Sequence, residues 1–351
     1  MSKKINVGGV LIGGGAPVSI QSMTNTKTAD VKATVNQITR LEEAGCDIVR
    51  VAVPDMESAE AIEDIKKRIK IPLVADIHFD YRLALKSVTS GADKIRINPG
   101  NIGGEDGVKK VADACFAAGI PIRIGVNSGS LDRDIADKYG LTAEAMYVSA
   151  MQHAELLNRH DFDDICISVK SSDVLLTVAA YRLLSEKTGY PLHLGVTESG
   201  TTYMGTVKSA VGLGALLVDR IGDTVRVSLT DDPVEEIKAA KAILKAAGVK
   251  RDGVNFISCP SCGRCEIDLI NTAREVEDRL KDCKMNITVA VMGCAVNGPG
   301  EAREADYGIA GGKGFGLIFK KGEIVEKADS ANLVDRLTAV ISEREECPPF
   351  F

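Results

Sequence analysis

From residue 18 to about 247 one unit recurs: a short apolar run rich in β-formers, a polar turn, then a helical stretch. The apolar runs are "SIQSM", "DIVRVAV", "PLVADIH", "KIRINPG", "PIRIGVN", "DICISVK", "PLHLGVT" and "TVRVSLT". Amphipathic stretches such as "DVKATVNQITRLEEAG", "TAEAMYVSAMQHAELLNRH" and "PVEEIKAAKAILKAAG" lie between them. Strands that alternate with helices imply βαβ crossovers and a parallel sheet. Eight such units in roughly 230 residues match a closed (β/α)8 TIM barrel. A doubly wound open sheet is the competing architecture. It loses ground because the glycine-rich turn near the N-terminus, "GGVLIGGGAP", precedes no long helix, so the dinucleotide fingerprint is absent.

After "KAAGVKRDG" the pattern changes. A cysteine segment, "SCPSCGRCEID", leads into a helix, "EIDLINTAREVEDRLKDC", and a strand, "NITVAVMGC". Glycine-rich turns and a hairpin are expected in "YGIAGGKGFGLIFKKGEIVEKA", and a closing helix near 330–345. The chain therefore reads as a barrel domain over 1–250 and a small α+β domain over 251–351.

Side chains on a barrel strand alternate between lumen and exterior. Lys94, Arg96 and Asn98 share one face of "KIRINPG"; Arg123, Gly125 and Asn127 share one face of "PIRIGVN"; Arg226 and Ser228 share one face of "VRVSL". Arg50 and Lys170 sit near the ends of their own strands. A solvated face would explain such charges in an open sheet, but parallel strands are normally covered on both sides. Charges directed into a covered barrel are costly unless they bind something. Cations at strand ends, where barrel enzymes keep their sites, point to a polyanion, and arginine's planar fork suits phosphate oxygens. The acidic candidates are Asp76, beside His78 in "ADIHFD", and Glu198 in "GVTESG". Apolar burial could raise the Glu198 carboxyl enough for proton donation.

Net charge −6 and a pI near 5.5 argue against a nucleic-acid binder, since phosphate neutralisation needs basic excess. No apolar run approaches a membrane span, and "MSKKINVGGV" lacks a signal peptide's hydrophobic stretch, so a cytoplasmic location is expected. In a reducing compartment nine cysteines read as metal ligands or core residues. Structural zinc commonly uses two paired arms, whereas Cys259, Cys262 and Cys265 form one arm with Cys294 far behind it. Iron–sulfur clusters use Cys-x2-Cys runs plus a remote ligand, so a cluster is the better reading and zinc the alternative. Spacing alone would place four thiolates, Cys259, Cys262, Cys265 and Cys294, around a 4Fe–4S cluster. Cys46, Cys115 and Cys166 lie in apolar contexts and read as core.

"SCPSCGR" followed by "GCAVNGPGEA", behind a barrel carrying "RINPGN", "RIGVN" and "TESG", resembles the 4-hydroxy-3-methylbut-2-en-1-yl diphosphate synthase family. These are iron–sulfur enzymes of the non-mevalonate isoprenoid pathway, here in the two-domain bacterial form, and the resemblance spans essentially the whole chain. It implies reductive ring opening of 2-C-methyl-D-erythritol 2,4-cyclodiphosphate, with two electrons and loss of water. It implies a barrel domain that binds substrate and a C-terminal domain that holds a 4Fe–4S cluster on Cys259, Cys262, Cys294 and Glu301, with Cys265 outside the ligand set. The family's diphosphate-binding cations fall on Arg50, Arg96, Arg123, Lys170 and Arg226. Asn98, Asn127, Thr197, Ser228 and Asn297 match neutral hydrogen-bond donors, and Glu198 matches the acid that helps expel hydroxyl as water. A flavodoxin or ferredoxin is the implied electron donor.

Chain length bears on assembly. The eighth barrel helix should end near residue 247 at the face opposite the catalytic one, and eleven residues separate it from Cys259. Fully extended, these span at most about 40 Å. That is a nearly taut tether for a domain of about 13 Å radius to cap its own barrel. Docking on a second chain needs no such climb, and the resemblance also implies a homodimer with sites shared between chains. Two other functions stay open on the residues alone: an electron-transfer iron–sulfur protein, or a barrel transferase with a zinc-stapled appendage.

Overall fold

The computed structural model describes residues 1–250, 253–294, 300 and 302–343. The chain divides into two units, Met1–Lys250 and Arg251–Phe351.

The first unit opens with an antiparallel hairpin, β1 (Ile5–Val7) and β2 (Val10–Ile12), turned at Gly8 and Gly9, whose φ angles of 54° and 98° exclude most other residues. Three-residue strands among glycines leave no periodic signal, and the sequence analysis did not anticipate them. Their apolar side chains Ile5, Val7 and Ile12 cluster with Ile48, Val74 and Cys166 from the barrel strands.

Eight parallel strands follow: β3 (Ser19–Met23), β4 (Ile48–Ala52), β5 (Leu73–Asp76), β6 (Lys94–Ile97), β7 (Ile122–Asn127), β8 (Ile165–Lys170), β9 (His193–Leu194) and β10 (Thr224–Val225). They pair in the order β8-β7-β6-β5-β4-β3-β10-β9, and a parallel bridge between Ile167 and Leu192 joins the two ends. The expected TIM barrel is the observed fold. The runs expected for the last two strands are longer than the regular ladder, which continues past β9 and β10 by one bond, from the Arg226 N–H to the Leu194 carbonyl (2.9 Å).

Helices between the strands begin on side-chain caps. Asp30, Asp55, Asp80, Asp173 and Asp232 each accept a backbone N–H from the first turn that follows. The first of these, α1 (Val31–Ala44), ends on Gly45 at φ 95°, the left-handed position that glycine takes without penalty. Outward-facing Val49, Val51, Ile95, Ile97, Ile122 and Ile124 pack against the helices in one core. Burying apolar side chains on that face leaves the lumen to the alternate residues, which are mostly polar.

In the second unit β11 (Asn255–Ser258), β12 (Thr288–Met292) and β13 (Tyr307–Gly312) run parallel, and β14 (Phe315–Lys320) and β15 (Glu323–Asp329) complete a five-stranded sheet in sequence order. Where one hairpin was expected, two tight turns produce a three-stranded meander: Gly314 (φ 74°) makes the first, Lys321 (φ 49°) and Gly322 (φ 81°) the second. Strand β15 presents charged residues at an exposed edge, which hid it from an apolar-run criterion. The helix Leu269–Leu280 and the closing helix Leu333–Ser342 share a core with Val289, Val291 and Ile309. Among the described residues no helix is long and apolar enough to cross a membrane.

Candidate active site

Strand alternation brings all five expected cations into the barrel lumen. Arg50, Arg96, Arg123 and Lys170 are each less than a tenth exposed, and the Arg226 side chain is 16% exposed. Register places Arg96 beside Arg123 across β6 and β7, and Asp76 beside Arg96 across β5 and β6. The cations do not all sit at strand ends, as the sequence suggested. Arg123 is the second residue of β7 and lies two positions below Gly125.

Two carboxylates hold this array, and both are buried. The Asp76 carboxylate accepts from Arg96 Nη1 (3.0 Å), lies 3.7 Å from Arg50 Nε, and has His78 Nε2 at 3.5 Å. Burial alone would raise this carboxyl, but Arg50, His78, Arg96 and Arg123 together hold it well below the usual carboxylate range. Sequence reasoning noticed Asp76 without giving it this task. It missed Glu236 altogether. That residue accepts from Ser22 Oγ (2.9 Å) and the Leu229 N–H (3.1 Å) and lies 3.5 Å from Arg226 Nη2. On a helix that begins "PVEEIK" it reads as a solvated first-turn acid, and only tertiary packing shows otherwise.

Two glycines make room for the cations. A Cβ on Gly125 would lie 2.5 Å from Arg96 Nε, and one on Gly195 would lie 2.7 Å from Lys170 Nζ. The array is strongly electropositive. Burial, then Arg123, Arg226, Arg50 and Arg96, pull Lys170 well below the ordinary lysine value. Burial and Arg96 push Arg123 down to about 10, where it remains charged at neutral pH.

Asn98, Asn127, Thr197 and Ser228 are half-buried where their strands run out into loops. Asn98 Oδ1 accepts the Gly100 N–H at 3.2 Å. Glu198 is exposed and sits at φ 51°, so the apolar burial suggested for it is not found. A non-glycine residue in that region marks a loop shaped by something other than local preference.

In the second unit Cys259 and Cys294 lie just past the ends of parallel β11 and β12. Cys259 directly follows β11, its N–H donates to the Val291 carbonyl (3.4 Å), and its Sγ accepts the Gly293 N–H (3.2 Å), one residue before Cys294. Cys262 is exposed; Cys259 and Cys294 are half-buried. Cys265 behaves differently. Its Sγ donates to the Ile267 carbonyl (3.1 Å) and fills the space where a Cβ on Gly293 would lie, at 2.6 Å. Asn297 and Glu301 lie outside the described residues. Among the described residues no three His, Cys, Asp or Glu side chains converge as a metal-holding group.

The family model described as the GcpE TIM-barrel domain matches residues 2–241, and that of the GcpE protein C-terminal domain matches residues 255–343. A Clostridium perfringens protein named 4-hydroxy-3-methylbut-2-en-1-yl diphosphate synthase (flavodoxin) is 61% identical over 341 residues, 97% of this chain and 98% of its own. A Ruminiclostridium cellulolyticum protein of the same name is 59% identical over 343 residues, 97% of each. Among solved structures, the N-acetylneuraminic acid (sialic acid) synthetase of Leptospira borgpetersenii serovar Hardjo-bovis, in complex with citrate, aligns with TM-score 0.51 at 13% identity. It covers 71% of this chain and 91% of its own, a likeness of fold alone.

Proposed function

The chain belongs to the GcpE family, and from that premise we propose that it opens the ring of 2-C-methyl-D-erythritol 2,4-cyclodiphosphate reductively and dehydrates it to 4-hydroxy-3-methylbut-2-en-1-yl diphosphate, a step of isoprenoid biosynthesis. It is an oxidoreductase: two electrons and two protons enter and one water leaves. The observation that carries this reading is the lumen itself, where five cations face two carboxylates and a diphosphate would supply the missing negative charge.

Arg50, Arg96, Arg123, Lys170 and Arg226 clamp the diphosphate by charge-assisted hydrogen bonds, each worth about 1.5–3 kcal/mol. Asp76 and Glu236 offset the repulsion among the guanidinium groups and hold them in place before substrate arrives. Asn98, Asn127, Thr197, Ser228 and Asn297 orient the neutral part of the substrate. Glu198, exposed in the loop that follows β9, passes a proton to the hydroxyl that leaves as water.

The family implies an iron–sulfur enzyme, and the donor set fits a 4Fe–4S cluster held by Cys259, Cys262, Cys294 and Glu301. The fit rests on chemistry seen in the second unit: thiols just past two adjacent strand ends, one already accepting a backbone N–H, and a Cys265 thiol that donates to the Ile267 carbonyl. When bound, such a cluster supplies electrons one at a time, and a carboxylate in its fourth position is a harder and more exchangeable ligand than thiolate. The names of the relatives point to flavodoxin as the donor. A cytoplasmic homodimer, with each barrel served by the partner chain's thiols, completes the proposal. The short run of chain between residues 247 and 259 supports it.

The decisive experiment is anaerobic turnover of the cyclodiphosphate by iron-loaded protein with a strong one-electron reductant. Product formation at two electrons per molecule is expected. A colourless, zinc-loaded protein without turnover would sink the proposal.

A further inference from the structure

Two residues below Arg96 on β6, Lys94 enters the same lumen. It is 0% exposed, and among the described residues its Nζ has no hydrogen-bond partner. Nothing in the clamp described above uses it. Val74 is its register neighbour on β5, and below that level the lumen turns apolar, closed by Ile5, Val7 and Ile12. Around Lys94 stand Arg50 on β4, Arg123 on β7, the thiol of Cys166 on β8 and the imidazole of His193 on β9. Lys170 and Arg226 complete the charge above. The Asp76 carboxylate is taken by Arg96, Arg50 and His78, and Glu236 by Ser22, Leu229 and Arg226.

Six cations therefore share a covered space with two carboxylates. Arginine keeps its proton under these conditions, whereas a lysine releases one when burial and like charge demand it. His193, fully buried and driven well below the ordinary imidazole value by burial and Arg123, brings no negative charge. Relief in the empty pocket must come from the lysines.

We propose that Lys94 is a proton acceptor coupled to substrate binding: negative charge arriving among Arg50, Arg96, Arg123, Lys170 and Arg226 draws a proton onto Lys94 Nζ, which charges without touching the substrate. This rests on the diphosphate reading of the pocket. Burial, opposed next by Cys166 and aided by smaller effects of Arg123 and Arg50, pushes Lys94 down to about 8 in the empty protein. An anion above it raises that value again. Uptake by Lys94 is therefore small near neutrality, where it already carries its proton. It grows above about pH 8, and affinity falls as pH rises through the same window. Lys170, also pulled well below its ordinary value, is the second lysine of the array, and substitution of Lys94 separates the two contributions. The substrate does not contribute, because each phosphate of a cyclic diphosphate diester is already singly ionised throughout this range.

The test is calorimetric titration of iron-loaded, unreduced enzyme with the cyclodiphosphate at about pH 7 and about pH 9, in buffers of different ionisation heat. Wild-type protein should take up more protons per site at the higher pH, and Lys94→Met should bind substrate yet lose that increment. Lys94→Gln serves as the second variant, since it keeps a polar group in the space. A wild-type uptake that does not rise between the two pH values, or a rise that survives both substitutions, overturns the proposal. Failure of wild-type protein to bind the cyclodiphosphate at either pH overturns the proposed function instead.

Discussion

Gly125 on one strand leaves the space that the Arg96 guanidinium of the next strand occupies; a Cβ there would lie 2.5 Å from Arg96 Nε. The cation's position is thus set from across the sheet by a missing side chain, as well as by its ion pair with Asp76 at 3.0 Å.

Gly125→Ala should therefore displace Arg96 and not merely crowd the core. Overpacking of this kind costs about 1–3 kcal/mol, so we predict a fall in kcat/KM of roughly 10-fold or more with iron content unchanged. Gly195→Ala should act likewise on Lys170, whose Nζ would meet the new methyl at 2.7 Å. Wild-type substrate affinity in both variants would show that the cations have other places to go.

Asp76 makes stability depend on pH in a definite sense. Its carboxyl is held below the usual range in the folded barrel, so its contribution is present above the ordinary carboxylate pKa and is lost as pH falls toward the folded value. Denaturant titrations between about pH 7 and pH 3 should show wild-type stability declining on acidification more steeply than that of Asp76→Asn. At neutral pH the variant should be weaker by about 3–5 kcal/mol, because two buried guanidinium groups lose their counter-charge. Parallel curves for the two proteins would remove Asp76 from this role.

The thiols should separate by function. Cys265→Ser is expected to retain iron, sulfide and activity, since its sulfur already serves the Ile267 carbonyl. Cys294→Ser should lose the cluster and its visible absorption. Apo protein from the Cys265 substitution, alongside a fully active Glu301→Ala protein, would favour ligation by cysteines alone.

Shared sites predict complementation. Glu198→Ala and Cys294→Ser proteins, each inactive, should regain partial activity once mixed and allowed to exchange subunits. Verified exchange without recovery would mean that each cluster serves its own barrel.

The barrel could be read from the chain because eight apolar runs survive as strands and because alternation along "KIRINPG" and "PIRIGVN" puts charges on one face. The same rule found the five cations. It could not find Glu236, whose surroundings in sequence are those of an exposed helix start, nor show that Asp76 stands between Arg96 and Arg50 on different strands. Both facts depend on contacts between residues far apart in the chain. Gly125 and Gly195 lay in plain view, but a glycine declares its purpose only when the side chain that fills its space is known. Spacing alone treats Cys265 as the equal of Cys262, and the bond from its thiol to the Ile267 carbonyl is a contact that no spacing rule reveals.

Seated under Ile48, Val74 and Cys166, the side chains Ile5, Val7 and Ile12 close the floor of the barrel, and the polar lumen above them is a cup. Traffic through a cup is single-file over one rim: the diphosphate that enters and the diphosphate that leaves must use the same opening in turn. Both journeys pass the loops that follow the strands and never the floor beneath them.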